Sequence, residues 1–298
     1  MRNSLKTPRN PERGQRAARA AVCSLLLAAA LGGCSTINNA LSTGAPESED
    51  AAYVGSPANI QSLTDVVRRN PNDPQAYNMR GSVLGESGHY PEALADFDKA
   101  ISIDPNYAQA YSNRGLVYRE TGKADLALAD YNKALSIDPN YAPAYLGRGM
   151  VYRQQKKSLP ALQDFNKAIA LRPDNAEAYY NRGLLYQSRN QHNFAIDDFT
   201  TAIGLTQQQA APYIARGLSY MAVNNYKDAA GDLDQAVNIE PQSMQAWLSR
   251  GLAYERLGDK QKAAGSYARA MNIDQNNAPA RAGFQRVGGK FGEAYPTF

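Results

Sequence analysis

Cysteine, histidine and tryptophan are scarce: two, two and one respectively in 298 residues. Both cysteines, Cys23 and Cys34, lie near the start, so the long remainder has no thiol for a disulfide framework or a thiolate metal site. His89 and His192 stand far apart with no recurring carboxylate near either, and they read as surface turn residues. No Gly-x-Ser-x-Gly elbow, Walker loop, His-Glu-x-x-His or Cys-x-x-Cys is present. We therefore assign no catalytic residue, metal or cofactor, and expect a protein that is not an enzyme. Charge of one sign is also missing. The net charge of +4 comes from residues 1–33, where Arg2, Lys6, Arg9, Arg13, Arg16 and Arg19 face only Glu12, and 26 basic and 27 acidic side chains follow. That balance leaves no cationic footprint for a nucleic acid. No apolar run exceeds the twelve residues Ala20–Leu31, too few for an ordinary membrane-spanning helix.

What the chain has instead is a period. An Arg-Gly pair recurs every 34 residues, at Arg80, Arg114, Arg148, Arg182, Arg216 and Arg250, and it sets repeats 74–107, 108–141, 142–175, 176–209, 210–243 and 244–277. Within each, position 4 is aromatic (Tyr77 to Trp247), position 8 is Gly, and position 11 is Leu84 or a tyrosine. Position 20 is Ala, position 24 is bulky (Phe97, Tyr131, Phe165, Phe199, Leu233, Tyr267), and position 27 is Ala. Ten of the nineteen tyrosines fall at positions 4 and 11, which marks them as core rather than as stacking surfaces for bases. Small residues at 8, 20 and 27 let two antiparallel helices approach closely, enough to offset about 1 kcal/mol for each helical Gly. Proline at position 32 (Pro105, Pro139, Pro173, Pro241) is expected to stop the second helix, although Gln207 and Gln275 replace it in repeats four and six.

This register resembles the tetratricopeptide repeat, and the resemblance covers 204 residues. It implies an all-α, right-handed solenoid superhelix of six helical hairpins with partial capping helices. A helix over 59–70, with Ile60, Leu63, Val66 and Val67 on one face, and a closing helix over 278–287 supply the caps. The family's inner-face positions 2, 5, 9, 12 and 13 map to a polar first portion: Gln75, Asn78, Ser82, Glu86, Gln109, Ser112, Arg119 and Glu120. An apolar portion follows, Leu146, Met150, Tyr180, Leu184, Ile214, Leu218, Met221, Leu248 and Leu252, and is the expected partner-binding groove. The Lys and Asn of the chaperone-type carboxylate clamp are missing at the matching positions of repeats one and two. Position 7 departs from the family, being Arg in all six repeats. Asp recurs at position 23 (Asp96, Asp130, Asp164, Asp198, Asp232) and fails only at Ser266. A buried guanidinium needs a partner, so we expect Arg80–Asp96, Arg114–Asp130, Arg148–Asp164, Arg182–Asp198 and Arg216–Asp232 ion pairs, within a repeat or across a boundary, in preference to an arginine ladder for an acidic ligand.

The first 33 residues run basic, apolar, then small, which is the order of a secretory signal. Their end, Leu31-Gly32-Gly33-Cys34, resembles the bacterial lipobox and implies cleavage before Cys34, lipidation of that cysteine and a mature chain of 265 residues. Several acyl chains on one cysteine anchor stably where one does not. Ser35 rather than Asp follows the cysteine, and the resemblance to lipoproteins sorted by that position implies the outer membrane, facing the periplasm. The organisation expected is signal 1–33, flexible tether 34–57, solenoid 58–287 and C-terminal tail 288–298. This plan resembles bacterial tetratricopeptide lipoproteins of the NlpI type. The resemblance implies a membrane-anchored adaptor for envelope proteins, with a peptidoglycan hydrolase, a protease or a secretin as the candidate partners. The alternative is a pilotin-like or outer-membrane assembly chaperone.

Overall fold

The computed structural model describes residues 55–295; the signal, the lipobox Cys34 and most of the tether lie outside them. Fourteen α-helices and no strand occur among the described residues. Helix α1 (Pro57–Arg69) precedes six hairpins: α2 (Pro74–Glu86) with α3 (Tyr90–Ile103), α4 (Ala108–Glu120) with α5 (Ala124–Ile137), and α6 (Ala142–Gln154) with α7 (Ser158–Leu171). Then come α8 (Ala176–Ser188) with α9 (His192–Leu205), α10 (Ala210–Ala222) with α11 (Tyr226–Ile239), and α12 (Met244–Leu257) with α13 (Lys260–Ile273), closed by α14 (Ala278–Arg286). Each helix packs on its hairpin partner, and each first helix also touches the first helix of the next repeat. The array is an all-α superhelix with its core running along its length.

Small-to-large packing across each hairpin has the expected cause. A Cβ added to Gly81, Gly183 or Gly251 would lie 2.6 to 2.8 Å from the ring of Phe97, Phe199 or Tyr267, so only hydrogen fits where the first helix crosses position 24 of the second. Ala93, Ala127, Ala161, Ala195, Ala229 and Ala263 are fully buried on the facing surface. Where position 24 is tyrosine, the longer ring reaches the next repeat. Tyr131 and Tyr267 press against Gly147 and Gly283, where any side chain would collide.

Helix ends follow two local rules. Every first helix ends with position 15 in the left-handed conformation: Gly88, Gly122, Lys156, Asn190, Asn224 and Gly258 all have positive φ. The amide at position 16 then donates to the carbonyl at position 11, as in Lys123 to Tyr118 at 2.8 Å and Gln191 to Tyr186 at 2.9 Å, which satisfies an end carbonyl. Second helices all end at position 30, two residues before the proline, and they end there equally in repeats four and six, which lack it. Proline is thus not what stops them. The residue at 31 leaves helical backbone, and Asp104, Asp138 and Asp274 each accept from an amide two residues on at 2.9 Å, setting the turn.

The C-terminal segment packs rather than trailing away. Phe284 of α14 meets the Phe291 ring at 5.2 Å and the Tyr295 ring edge-on at 5.6 Å, and Val287 and Phe284 join the core of the last two repeats.

Candidate functional site

The arginine at position 7 is held from four sides. Its Nε and Nη2 donate to both oxygens of the Asp at position 23 of its own repeat, at 2.6 to 2.8 Å for Arg80–Asp96, Arg114–Asp130, Arg148–Asp164, Arg182–Asp198 and Arg216–Asp232. The remaining Nη1 reaches back to the preceding repeat, to Asp98, Asn132, Asn166 and Thr200 at 2.6 to 2.9 Å, and for Arg80 to Thr64 of α1 at 3.4 Å. Tyrosines at positions 4 and 11 cover the guanidinium faces, with Arg182 5.6 Å from the Tyr179 ring centre and 5.9 Å from Tyr186. Tyr254 is buried in the core as its periodicity suggested, while the other tyrosines at these positions are half-buried, walling the ion pair and, in repeats two to five, packing against the core. The hydrogen bond to each carboxylate pushes the arginine pKa further upward. Bidentate pairing leaves no ladder of free guanidinium groups for an acidic ligand.

Repeat six solves the missing Asp differently. Arg250 is 1% exposed. It donates to Asp234 of the preceding repeat at 2.6 Å and to the Ser266 hydroxyl at 2.7 Å. Tyr254 also donates to Asp234, at 2.8 Å, and burial with that bond pushes its phenol up to about 12.

The apolar groove read from the sequence is largely interior. Leu146 and Met150 are buried around Phe165, Tyr180 lies against Phe199 with ring centres 5.8 Å apart, and Ile214 belongs to the core of repeats five and six. These four are corrected to inter-repeat packing. At position 5 the next repeat covers any large side chain. Leu184, Leu218, Met221, Leu248 and Leu252 are half-buried, and the first four pack against core clusters. Apart from Leu257 at the very end of α12, the accessible large apolar side chains on the first helices are Met79 and Leu116, in the portion read as polar. Met79 is at position 6, outside the family's five inner-face positions, which is why it was missed.

Beyond Leu116, polar contacts link successive repeats from two to five. Arg119 pairs with Glu120 at 2.6 Å and lies 2.8 Å from the Met150 sulfur; Arg153 donates to the buried Asn181 at 3.2 Å; Gln187 donates to the Ala215 carbonyl and Ser219 hydroxyl at 3.0 Å. The Tyr131 hydroxyl is buried here without a hydrogen-bond partner. Its counterpart Tyr267 donates to Glu255 at 2.5 Å. Glu255 occupies position 12, where the repeat of Tyr131 has Arg119, so Tyr131 has lost its acceptor. Desolvation raises the Tyr131 pKa, which Arg119 opposes and Glu120 and Glu177 reinforce. Glu177 is solvent-accessible, and desolvation raises its pKa as well, against the pull of Arg119. The Tyr131 hydroxyl, the Arg119 guanidinium and the Glu120 and Glu177 carboxylates are thus close enough to act on one another electrostatically. No group of three or more His, Cys, Asp or Glu that would hold a metal occurs among the described residues.

Family models described as tetratricopeptide repeat match residues 108–141, 176–209 and 214–278, and one described as TPR repeat matches 81–122 and 151–188. The chain belongs to the tetratricopeptide repeat family. No curated protein matches it in sequence. Among solved structures, this tetratricopeptide protein is similar to a chain of the APC/C hetero-tetramer Cut9–Hcn1, with 20% identity and a TM-score of 0.67 over 78% of this chain and 46% of that one. It therefore spans less than half the length of that chain. Pseudomonas aeruginosa pilF matches with 21% identity and a TM-score of 0.65 over 72% of this chain and 96% of its own. MamA matches with 29% identity and a TM-score of 0.51 over 57% of this chain and 93% of its own. The first two likenesses concern the fold alone.

Proposed function

We propose that this tetratricopeptide protein is a non-enzymatic adaptor, anchored in a bacterial envelope through lipid on Cys34, that takes a segment of a partner protein along the first-helix face of repeats one to four. The observation that carries the binding site is the buried Tyr131 hydroxyl, left without an acceptor between Arg119, Glu120 and Glu177. A buried unpaired hydroxyl costs roughly 1–3 kcal/mol, and a partner that parts the side chains over it and brings in a backbone carbonyl or carboxylate oxygen would remove that cost on binding. Leu116, exposed on the helix that carries Arg119 and Glu120, offers an apolar contact beside them. The order of basic, apolar and small-Cys segments supports the anchor.

Capture from crosslinked envelopes tests the reading. Wild type is compared with Tyr131→Phe and with Leu116→Glu, the fold of each verified by circular dichroism. Tyr131→Phe should keep or slightly raise stability while weakening capture of one envelope protein, and Leu116→Glu should abolish that capture. Unchanged capture by both variants would move the site elsewhere. Labelling with radioactive palmitate, lost in Cys34→Ala, tests the anchor separately.

A further inference from the structure

Five of the nine exposed large apolar side chains among the described residues lie on one edge of the solenoid, the turns joining the first and second helices of repeats two to six. They are Leu126, Leu159, Phe194, Val223 and Leu257, one per repeat. Leu159 is 66% exposed and Phe194 58%. The first turn of a second helix supplies Leu126, Leu159 and Phe194; the end of a first helix supplies the other two. Because hairpins stack in the same sense, these turns follow one another along a single rim.

From repeat three onward the same rim is basic, whereas in repeats one and two it carries Glu86, Glu92, Glu120 and Asp125 with only Lys123. Around Leu159 and Phe194 stand Lys156, Lys157 and Arg189, all exposed, with no Asp or Glu within 154–160 or 188–194. Repeat six adds Arg256, Lys260 and Lys262 against Asp259, whereas Asp125 sits beside Leu126 and Asp228 beside Lys227. The opposite rim, where second helices hand over to the next repeat, has the reverse sign: Asp104, Asp138, Asp174, Glu240 and Asp274 against Arg172 and Arg281. Position 15 sharpens the contrast. Where neighbouring repeats place Gly or Asn in the left-handed slot, repeat three places Lys156 at φ 58°, a conformation that costs a branched-free cationic side chain roughly 1–2 kcal/mol.

We propose that this rim, centred on the turns of repeats three and four, docks onto an anionic phospholipid surface. A stable protein interface of standard size buries about 800 Å² on each partner around a closely packed core. Here single Leu and Phe side chains alternate with long flexible cations, which suits insertion at the headgroup boundary. Each apolar side chain enters singly, while the lysines and arginines keep their charged ends among the phosphates. Near the surface each such cation contributes roughly 1 kcal/mol, so three or four with two inserted side chains give a weak, salt-sensitive contact. The opposite, acidic rim is repelled, which fixes the face presented. Nothing in this inference depends on lipid at Cys34 or on the partner site around Tyr131.

The test uses the full chain with Cys23→Ser and Cys34→Ser, so that one introduced cysteine carries an environment-sensitive dye. Leu159→Cys and Phe194→Cys report the basic rim, and Leu205→Cys, exposed on the acidic rim, is the control. Vesicles are phosphatidylcholine alone or mixed with phosphatidylglycerol, each with a headgroup-depth quenching lipid. The expected result is quenching at 159 and 194 at least about twofold that at 205, only with phosphatidylglycerol, and reversed by high salt. Lys156→Glu/Lys157→Glu/Arg189→Glu, all at exposed positions, should abolish it. Equal quenching at all three sites would mean that residues 1–33 alone bring the chain to the vesicle, and would overturn the proposal. So would quenching without phosphatidylglycerol, or a concentration-dependent dye signal at 159 without vesicles, which would make the rim a contact between two copies of the chain.

Discussion

Arg148 joins two repeats because its guanidinium has two jobs, gripping Asp164 with two donors and Asn132 of the preceding repeat with a third. Asp164 is buried, so Arg148→Leu leaves a buried carboxylate unpaired and should destabilise by about 3–5 kcal/mol in denaturant unfolding. Arg148→Leu/Asp164→Leu should recover most of that loss, because an apolar pair carries no desolvation cost. A double variant as unstable as the single one would locate the cost in the lost Asn132 contact. At Lys156 the sign is opposite. Its backbone has φ 58°, and Lys156→Gly removes that strain at the cost of some unfolded-state entropy. The variant should be more stable by up to about 1 kcal/mol, read from the shift in unfolding midpoint.

At the scale of helices, one side-chain pattern performs different work in different hairpins. Arg114 has the buried Asp130 as well as Asp98, and the latter's carboxylate is largely in water. Arg250 has only Asp234 as a carboxylate partner, with a serine hydroxyl completing its shell. Asp98→Ala should therefore cost under about 1 kcal/mol. Asp234→Ala strips a fully buried guanidinium of its counter-charge and should cost about 3–5 kcal/mol. Equal losses would refute this account of repeat six. The tyrosines at position 24 show a second pairing between hairpins: Tyr131 with Gly147 and Tyr267 with Gly283 exchange volume across a repeat boundary, whereas the repeats after Phe165 and Phe199 carry Asn181 and Ala215 at that position.

A solenoid exposes apolar surface at each end unless it is capped, because every repeat buries its face only against a neighbour. Here α1 covers the first repeat and α14 the last, with Phe291 and Tyr295 closing over Phe284. Phe284 is 2% exposed, and Phe284→Ala should destabilise the chain by about 3–5 kcal/mol. Hydrogen exchange should rise first in α12 and α13 and spread little to repeats one and two, since coupling passes only between neighbours. A uniform rise across all six repeats would mean that the array unfolds as one unit.

Period, helix pairing and the small residues at 8, 20 and 27 were legible in the amino-acid order because they are properties of one 34-residue unit, and every copy restates them. Pairing of Arg with Asp was legible for the same reason: a charge that recurs at a buried position implies its counter-charge at another. The left-handed slot at position 15 was equally readable, since Gly or Asn follows the first helix in five of six repeats. Three features depend on how copies stack, which no single unit contains. Position 5 turned Leu146, Tyr180 and Ile214 inward because the next repeat covers it. The Tyr131 hydroxyl lost its acceptor because Arg119 holds the place that Glu255 fills in repeat six. The two rims acquired opposite charge because stacking in one sense gathers turns that lie 34 residues apart in the chain. Spacing along the chain sets what one hairpin buries; what the array leaves exposed is settled only when the hairpins lie side by side.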